Sequence, residues 1–368
     1  MSLSSFCQEN RMEFTVENFT RPLLRYYDAH RRILPWREDP TPYHVWLSEI
    51  MLQQTRVEAV RSYYTRFLTV LPTIRALAEA PEDQYLKLWE GLGYYSRVRN
   101  LHKAAAVIME TYGGEMPRTA KELLTLPGIG AYTSAAIASI AFREAIPAID
   151  GNLLRIFARL TLYEGNIKEN AARKAAEDMY RPLMTERPGD FNQALMDLGA
   201  TVCLPNAAPH CESCPFHSVC EAHRRGCEQA YPKVPEKKAR RQEKYTVFLI
   251  RDAGKLLLHK RPDKGLLAGL YEFPNAAGHL TQEEALQYVR AFGFAPLRIL
   301  PLPEAKHVFS HVEWHMTGYF VMVDELHPFP EKSALFPVGL KEIQNVYSIP
   351  SAFAAYRKAI YGIDEEAR

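Results

Sequence analysis

At 368 residues the chain is long for a single hydrophobic core, so two domains are the natural expectation. Its composition is 47% apolar, 24% charged and 11% aromatic, which excludes a disordered or collagenous protein. A net charge of only +2 supplies no global field, so any nucleic-acid binding has to rest on local patches and backbone amides.

No apolar run is long enough to span a bilayer. The stretch MSLSSFCQENRMEF lacks the basic-then-apolar layout of a signal peptide. These features predict a cytoplasmic protein without membrane contact, in a compartment where disulfides are rare. Residues 15–200 then read as mostly helical. EDQYLKLWEGL, LHKAAAVIMETYG and NAARKAAEDMYRPLM carry apolar residues at three- and four-residue spacing, separated by Gly or Pro. Residues 231–244, YPKVPEKKARRQEK, are basic, proline-bearing and nearly free of apolar side chains, a linker composition. Beyond them YTVFLIRDAGKLLLHKRP predicts two strands with a turn near Asp252 to Gly254. TQEEALQYVRAFG predicts a helix with a Thr281–Glu284 capping box, and HVFSHVEWHMTGYFVMV alternates like strands. An α domain over 1–230, a linker over 231–244 and an α+β domain over 245–368 follow.

Three features carry chemistry. In LPGIGAYTSA, Gly128 and Gly130 join two short helices, permitting positive φ and removing Cβ atoms from the turn. Amides at the start of the second helix then face outward, ready for a phosphodiester, unless the glycines serve packing alone. Asp150 follows twenty residues later and is placed to cap the helix GNLLRIFARL. Glu49 lies among Trp46, Leu47, Ile50 and Met51; apolar surroundings there favour the protonated acid, against the plainer reading of a surface glutamate. Finally, Cys203, Cys211, Cys214 and Cys220 have the spacing C-x7-C-x2-C-x5-C, which suits four thiolates on either a [4Fe–4S] cluster or zinc. Cys7 and Cys227 are left as free thiols.

The hairpin followed by Asp150 resembles the helix–hairpin–helix DNA glycosylases. The runs LPWREDPTPYHVWLSEIMLQQTRVEAV and GLGYYSRVRNLH resemble more narrowly the adenine DNA glycosylase (MutY) family, and LLAGLYEFP resembles the Nudix fold. The resemblance spans about residues 17 to 360. It implies a multi-domain protein: an all-α helix–hairpin–helix glycosylase domain with a [4Fe–4S] cluster loop, plus an α+β Nudix-like C-terminal domain. By the same resemblance Glu49 protonates adenine at N7, and Asp150 stabilises the oxocarbenium-like sugar. Tyr132 and Asn152 position these two groups. Gln54 and Tyr94 match the wedge positions that fill the gap left by a flipped base, with Arg97 and Arg99 beside the ring. The four cysteines hold the cluster, although the family usually has six residues in the first gap and this chain has seven. HVFSH matches a recognition loop in which Phe309, Ser310 and His311 inspect 8-oxoguanine. The implied partner is double-stranded DNA with A·8-oxoguanine or A·G mispairs, bound by a monomeric, nucleoid-associated bacterial enzyme.

Tyr132 separates this reading from its nearest rival. In endonuclease III-like relatives a lysine stands at that position, forms a Schiff base with the sugar and leads to strand cleavage. A phenol cannot form that imine, so base removal without lyase action is expected. A lesion-binding protein without catalysis is disfavoured by the intact Glu49 and Asp150. Nucleotide-pool hydrolysis is disfavoured because Tyr288, Arg290 and Ala291 stand where a Nudix enzyme needs its magnesium-binding glutamates.

Overall fold

The computed structural model describes residues 13–235, 239–327, 329–330 and 333–366, with side chains described as far as 360. Cys7 lies outside this range, as do linker residues 236–238. The chain divides into two compact units. One comprises residues 1–79 with 100–236, the other residues 80–99 with 237–368.

The first unit is helical throughout. Its principal helices are α1 (Arg21–His30), α2 (Pro42–Leu52), α3 (Val57–Val70), α4 (Ala120–Leu123), α5 (Ala131–Phe142), α6 (Gly151–Thr161), α7 (Asn170–Tyr180) and α8 (Pro188–Thr201). In α6, residues 153, 154, 156, 157 and 160 are apolar and buried, one broad face at helical spacing. That face packs with Leu195 and Leu198 of α8 and with Tyr180 in the main core. Helix α5 is buried on every side from Thr133 to Ser139 and packs against both α2 and α8. Its small residues permit this close approach: a Cβ added at Gly189 of α8 would sit 2.8 Å from the Ile140 Cα. The cysteine-bearing loop is tied to the same core through Phe216, which stacks on Phe19 with ring centroids 4.2 Å apart.

The second unit is built on a seven-stranded mixed sheet. Its strands are β1 (Arg241–Arg251), β2 (Lys255–Lys260), β3 (Tyr271–Glu272), β4 (Asn275–Ala277), β5 (Pro296–Val308), β6 (Val312–Val323) and β7 (Leu335–Gly339). The order is β3-β2-β1-β6-β5, with β4 beside β1 and β7 beside β2. β1 and β6 run parallel, and β5 and β6 form an antiparallel hairpin. The turn expected near Asp252 is present, with Asp252 Oδ1 accepting from the Gly254 and Lys255 amides. So is the helix α9 (Gln282–Ala291) with its Thr281–Glu284 capping box.

Two features differ from the sequence expectation. Strand β1 begins at Arg241, inside the stretch read as linker, and pairs from there with Val312 of β6. Its first residues are polar because they are largely exposed, which gave them the look of a linker; Glu243 accepts from Trp314 Nε1 and the Tyr245 hydroxyl. The helix Glu82–Trp89 and the turn after it belong with the second unit, not with the helices flanking them in sequence. Lys87 donates to the Tyr347 carbonyl, Glu90 pairs with Arg357 and accepts from the Ile349 amide, and Arg99 donates to the Ala268 carbonyl.

Candidate active site

Helices α2, α5, α6 and α8 together line a cavity of about 260 Å³ in the first unit. That lies just under the roughly 300–1,000 Å³ of drug-sized ligand pockets. Glu49, Tyr132, Asp150 and Asn152 all line it. Glu49 sits in the buried last half of α2, 6% exposed. Tyr132, on the first turn of α5, donates to Glu49 Oε2 over 2.5 Å and reaches the Met196 sulfur at 3.9 Å. Burial raises the Glu49 carboxyl to about 7; the Tyr132 hydrogen bond opposes the rise, Asp150 adds to it and Arg37 lowers it.

Asp150 is the N-cap of α6. Its Oδ1 accepts from the Asn152 and Leu153 amides, and its Oδ2 from Asn152 Nδ2 at 2.7 Å. Burial pushes this carboxyl up as well, while its three N–H donors pull it down. The surroundings of the two buried carboxyls differ. Asp150 has three donors on its oxygens and Glu49 has one, so the first ionisation belongs to Asp150 and the retained proton to Glu49. Asn152 is itself held by Arg155, which donates to its Oδ1 at 2.8 Å.

Sequence reasoning missed the groups that hold this cavity in shape. Asn192 of α8, fully buried, donates to Ser139 Oγ and the Ile146 carbonyl and accepts from the Ala148 amide, fixing the loop that delivers Asp150. Asp197, 4% exposed, receives Arg37 at 2.7 and 3.0 Å and Arg32 at 2.7 Å. Burial alone would raise the Asp197 carboxyl, but the two guanidiniums hold it below its ordinary value. Arg37 lies in the LPWR run that carried the family resemblance. Nothing in sequence marks Asn192 or Asp197 as its neighbours.

In the hairpin after α4, Gly128 has φ +76°, and a Cβ there would lie 2.5 Å from the Asn100 Cβ. Gly130 caps α5 with ordinary extended backbone, and a Cβ there would meet nothing within 4 Å. One glycine is required by the fold; the other leaves the helix start open to an approaching backbone.

Of the wedge positions, Gln54 is exposed at φ +58° and Tyr94 is 47% exposed at φ +48°. Non-glycine residues held in this region store strain of order 1–3 kcal/mol, a frequent mark of functional positions. The Tyr94 hydroxyl lies 2.8 Å from Ser310 Oγ within the second unit. Arg97 corrects the expectation of a surface cation. It is 8% exposed, donates to the Leu92 and Gly93 carbonyls, and lies over the Trp89 and Tyr94 rings. Arg99 is likewise engaged, with Glu82 and the Ala268 carbonyl. Phe309, Ser310 and His311 form the tip between β5 and β6; Ser310 and His311 are exposed, whereas Phe309 packs edge-on against Trp314.

In α9, Tyr288 stacks on Phe248 with centroids 4.3 Å apart and donates to the Asn275 carbonyl, so it faces the core. Cys203, Cys211, Cys214, Cys220 and Cys227 are all free thiols and half-buried. Arg159 donates to Cys203 Sγ at 3.1 Å. Burial pushes Cys211 up to about 11, with Glu228 and then Cys220 and Cys203 adding to the rise, and Cys214 up to about 12, with Cys203, Cys220 and Cys211 adding to it.

Comparison with known proteins shows the family of the chain. Residues 47–182 match the HhH-GPD superfamily base excision DNA repair proteins, and residues 246–359 match the NUDIX domain. The chain is 38% identical to the adenine DNA glycosylase of Rattus norvegicus over 373 residues, covering 85% of this chain and 72% of that one. It is 32% identical to the adenine DNA glycosylase of Buchnera aphidicola subsp. Baizongia pistaciae, covering 84% and 88% respectively. A solved structure of a thermostable thymine-DNA glycosylase superposes with a TM-score of 0.52 at 30% identity, covering 57% of this chain and 97% of that one. The chain therefore belongs to the adenine DNA glycosylase family, enzymes of base excision repair built on a helix–hairpin–helix domain followed by a Nudix-like domain.

Proposed function

We propose that this adenine DNA glycosylase removes adenine paired with 8-oxoguanine, and with guanine, by acid-assisted hydrolysis of the N-glycosidic bond of a flipped nucleotide. The observation that carries the reading is the buried pair of carboxyls with different surroundings in one base-sized cavity. Glu49, whose burial raises its carboxyl to about 7 and so keeps a substantial protonated fraction at neutral pH, delivers its proton to adenine N7 and makes the base a neutral leaving group. Asp150, ionised and fixed by three N–H donors, faces the cation that develops on the sugar and the water that captures it. Tyr132 orients the Glu49 carboxyl and offers no amine to the sugar, so the strand stays intact.

DNA binding at the hairpin rests on Gly128, which shapes the turn, and on Gly130, which leaves room for a phosphate at the α5 amides. Gln54 and Tyr94 fill the vacated stack, and extrusion costs roughly a few kcal/mol. Ser310, exposed at the β5–β6 tip and flanked by Phe309 and His311, is the hydrogen-bonding partner assigned to the damaged base. Tyr94 holds that hydroxyl before DNA arrives.

Cys203, Cys211, Cys214 and Cys220 fit a [4Fe–4S] cluster. The four half-buried thiols supply the all-thiolate donor set that such a cluster takes. A cluster there would supply a rigid crosslink for the loop tied to the core by Phe216.

The test is single-turnover adenine release from a duplex with one A·8-oxoguanine pair, each sample split and half treated with alkali. Breaks only after alkali, abolished by Glu49→Gln with lesion binding retained, are expected. Breaks without alkali, or equal turnover by Glu49→Gln, would overturn the assignment.

A further inference from the structure

Beside the cysteine loop stands a second set of donors that the glycosylase reading does not use. Cys211 Sγ, a ring nitrogen of His223 and a carboxylate oxygen of Glu228 all lie within 4.8 Å of one another, and all three residues are half-buried. His223 Nδ1 is 2.7 Å from Glu228 Oε1, and Cys211 Sγ is 3.6 Å from the same oxygen. Metal–sulfur, metal–nitrogen and metal–oxygen bonds of about 2.3, 2.0 and 2.1 Å bring tetrahedral ligand atoms to roughly 3.3–3.7 Å from one another, so small side-chain adjustments would admit an ion.

The arrangement is built into the fold. Arg159, 3% exposed, donates to the Glu228 and Tyr231 carbonyls and so pins the turn carrying Glu228. The short helix Glu221–Arg224 carrying His223 is closed by the Cys227 amide on the Ala222 carbonyl and by Gly226 at φ +62°. A cavity of about 430 Å³ opens onto Cys211 and Glu228, with His210 and Ser213 also on its wall, leaving a fourth position for water. A mixed thiolate, imidazole and carboxylate set with one open position suits a borderline divalent ion.

We propose that Cys211, His223 and Glu228 form a mononuclear site for a divalent cation of the zinc class, which competes with the iron–sulfur cluster for Cys211. Binding deprotonates the Cys211 thiol and places the His223 proton on Nε2, so the ion replaces the present His223–Glu228 hydrogen bond. The competition, though not the site itself, rests on the cluster reading.

The test is titration of the full-length chain with Co²⁺, both as purified with its cluster and after oxidative removal of the cluster. Cluster-free protein should bind one equivalent with thiolate-to-cobalt charge-transfer absorption. His223→Gln and Glu228→Gln should each weaken binding at least about tenfold, by loss of one of three ligands, while Cys227→Ser leaves it unchanged. The cluster-loaded protein should show no such band. Absence of the band in cluster-free protein, or wild-type affinity in both variants, would overturn the site. A band lost in Cys214→Ser but kept in His223→Gln would overturn it too, placing the ion among the cysteines. A second readout tests the competition: one equivalent of Zn²⁺ should slow return of the cluster's visible absorption in wild type and not in His223→Gln. Equal slowing would refute the competition. Protein purified without iron or sulfide would sink the cluster reading alone, leaving cobalt to decide the site.

Discussion

Replacing Tyr132 by Phe removes one hydroxyl from the cavity and leaves the ring packed where it is. The lost interaction is the 2.5 Å hydrogen bond to Glu49 Oε2, which favours the ionised carboxylate and holds its pKa down against burial. A hydrogen bond to a charged group is worth about 1.5–3 kcal/mol, and one pKa unit corresponds to about 1.4 kcal/mol. The Glu49 carboxyl should therefore rise by about one to two units from its starting value of about 7. If Glu49 is the proposed acid it works in its protonated form, so activity should fall as pH climbs through that pKa, and the alkaline limb of the rate profile should move to higher pH. Single-turnover adenine release, measured from about pH 5 to about pH 10 in wild type and Tyr132→Phe, reads this directly. The maximal rate is expected to fall as well, since the acid loses its orienting partner. An alkaline limb that stays put or moves to lower pH would refute the role given to the hydroxyl, whatever happens to the maximal rate.

Glu49 also sets a stability prediction. Its folded carboxyl lies above the ordinary 4.5, so the folded state holds a proton that the unfolded state releases; stability is lost as pH rises from about 4.5 to about 7. Glu49→Gln should therefore stabilise the protein by up to about 3 kcal/mol at alkaline pH and little at pH 4, as read by thermal melts. A gain of equal size at both pH values would show that the ionised form carries no burial cost. Gly128→Ala should destabilise by about 1–3 kcal/mol through positive φ and collision with Asn100, whereas Gly130→Ala should melt normally yet bind DNA less tightly. Equal affinity of Gly130→Ala and wild type by fluorescence anisotropy would remove the phosphate from the hairpin. Tyr94→Phe keeps the stacking ring and loses the hydrogen bond to Ser310, worth about 0.5–1.5 kcal/mol. The preference for A·8-oxoguanine over A·G should fall about two- to tenfold while the rate on the preferred pair holds. An unchanged preference would leave Ser310 independent of Tyr94.

The sequence by itself determined what local chemistry determines. Helical periodicity, the Thr281–Glu284 capping box and the Asp252 turn were legible because a helix face, a cap and a tight turn are specified within a few residues. Glu49, Tyr132 and Asp150 were legible through the ordered motifs around them, and the burial of Glu49 through its apolar neighbours in α2. Tertiary structure decided the rest. Arg97 reads in sequence as a cation beside an exposed ring, but only the folded turn shows its guanidinium committed to the Leu92 and Gly93 carbonyls. The polar start of β1 imitates a linker, because pairing with β6 satisfies the backbone without asking for apolar side chains. Asn192 and Asp197 orient the cavity from more than 40 residues away in sequence, through hydrogen bonds to Ala148 and Arg37. Such partners leave no periodic trace, since a buried polar group needs only a partner in space and not one at any fixed spacing along the chain.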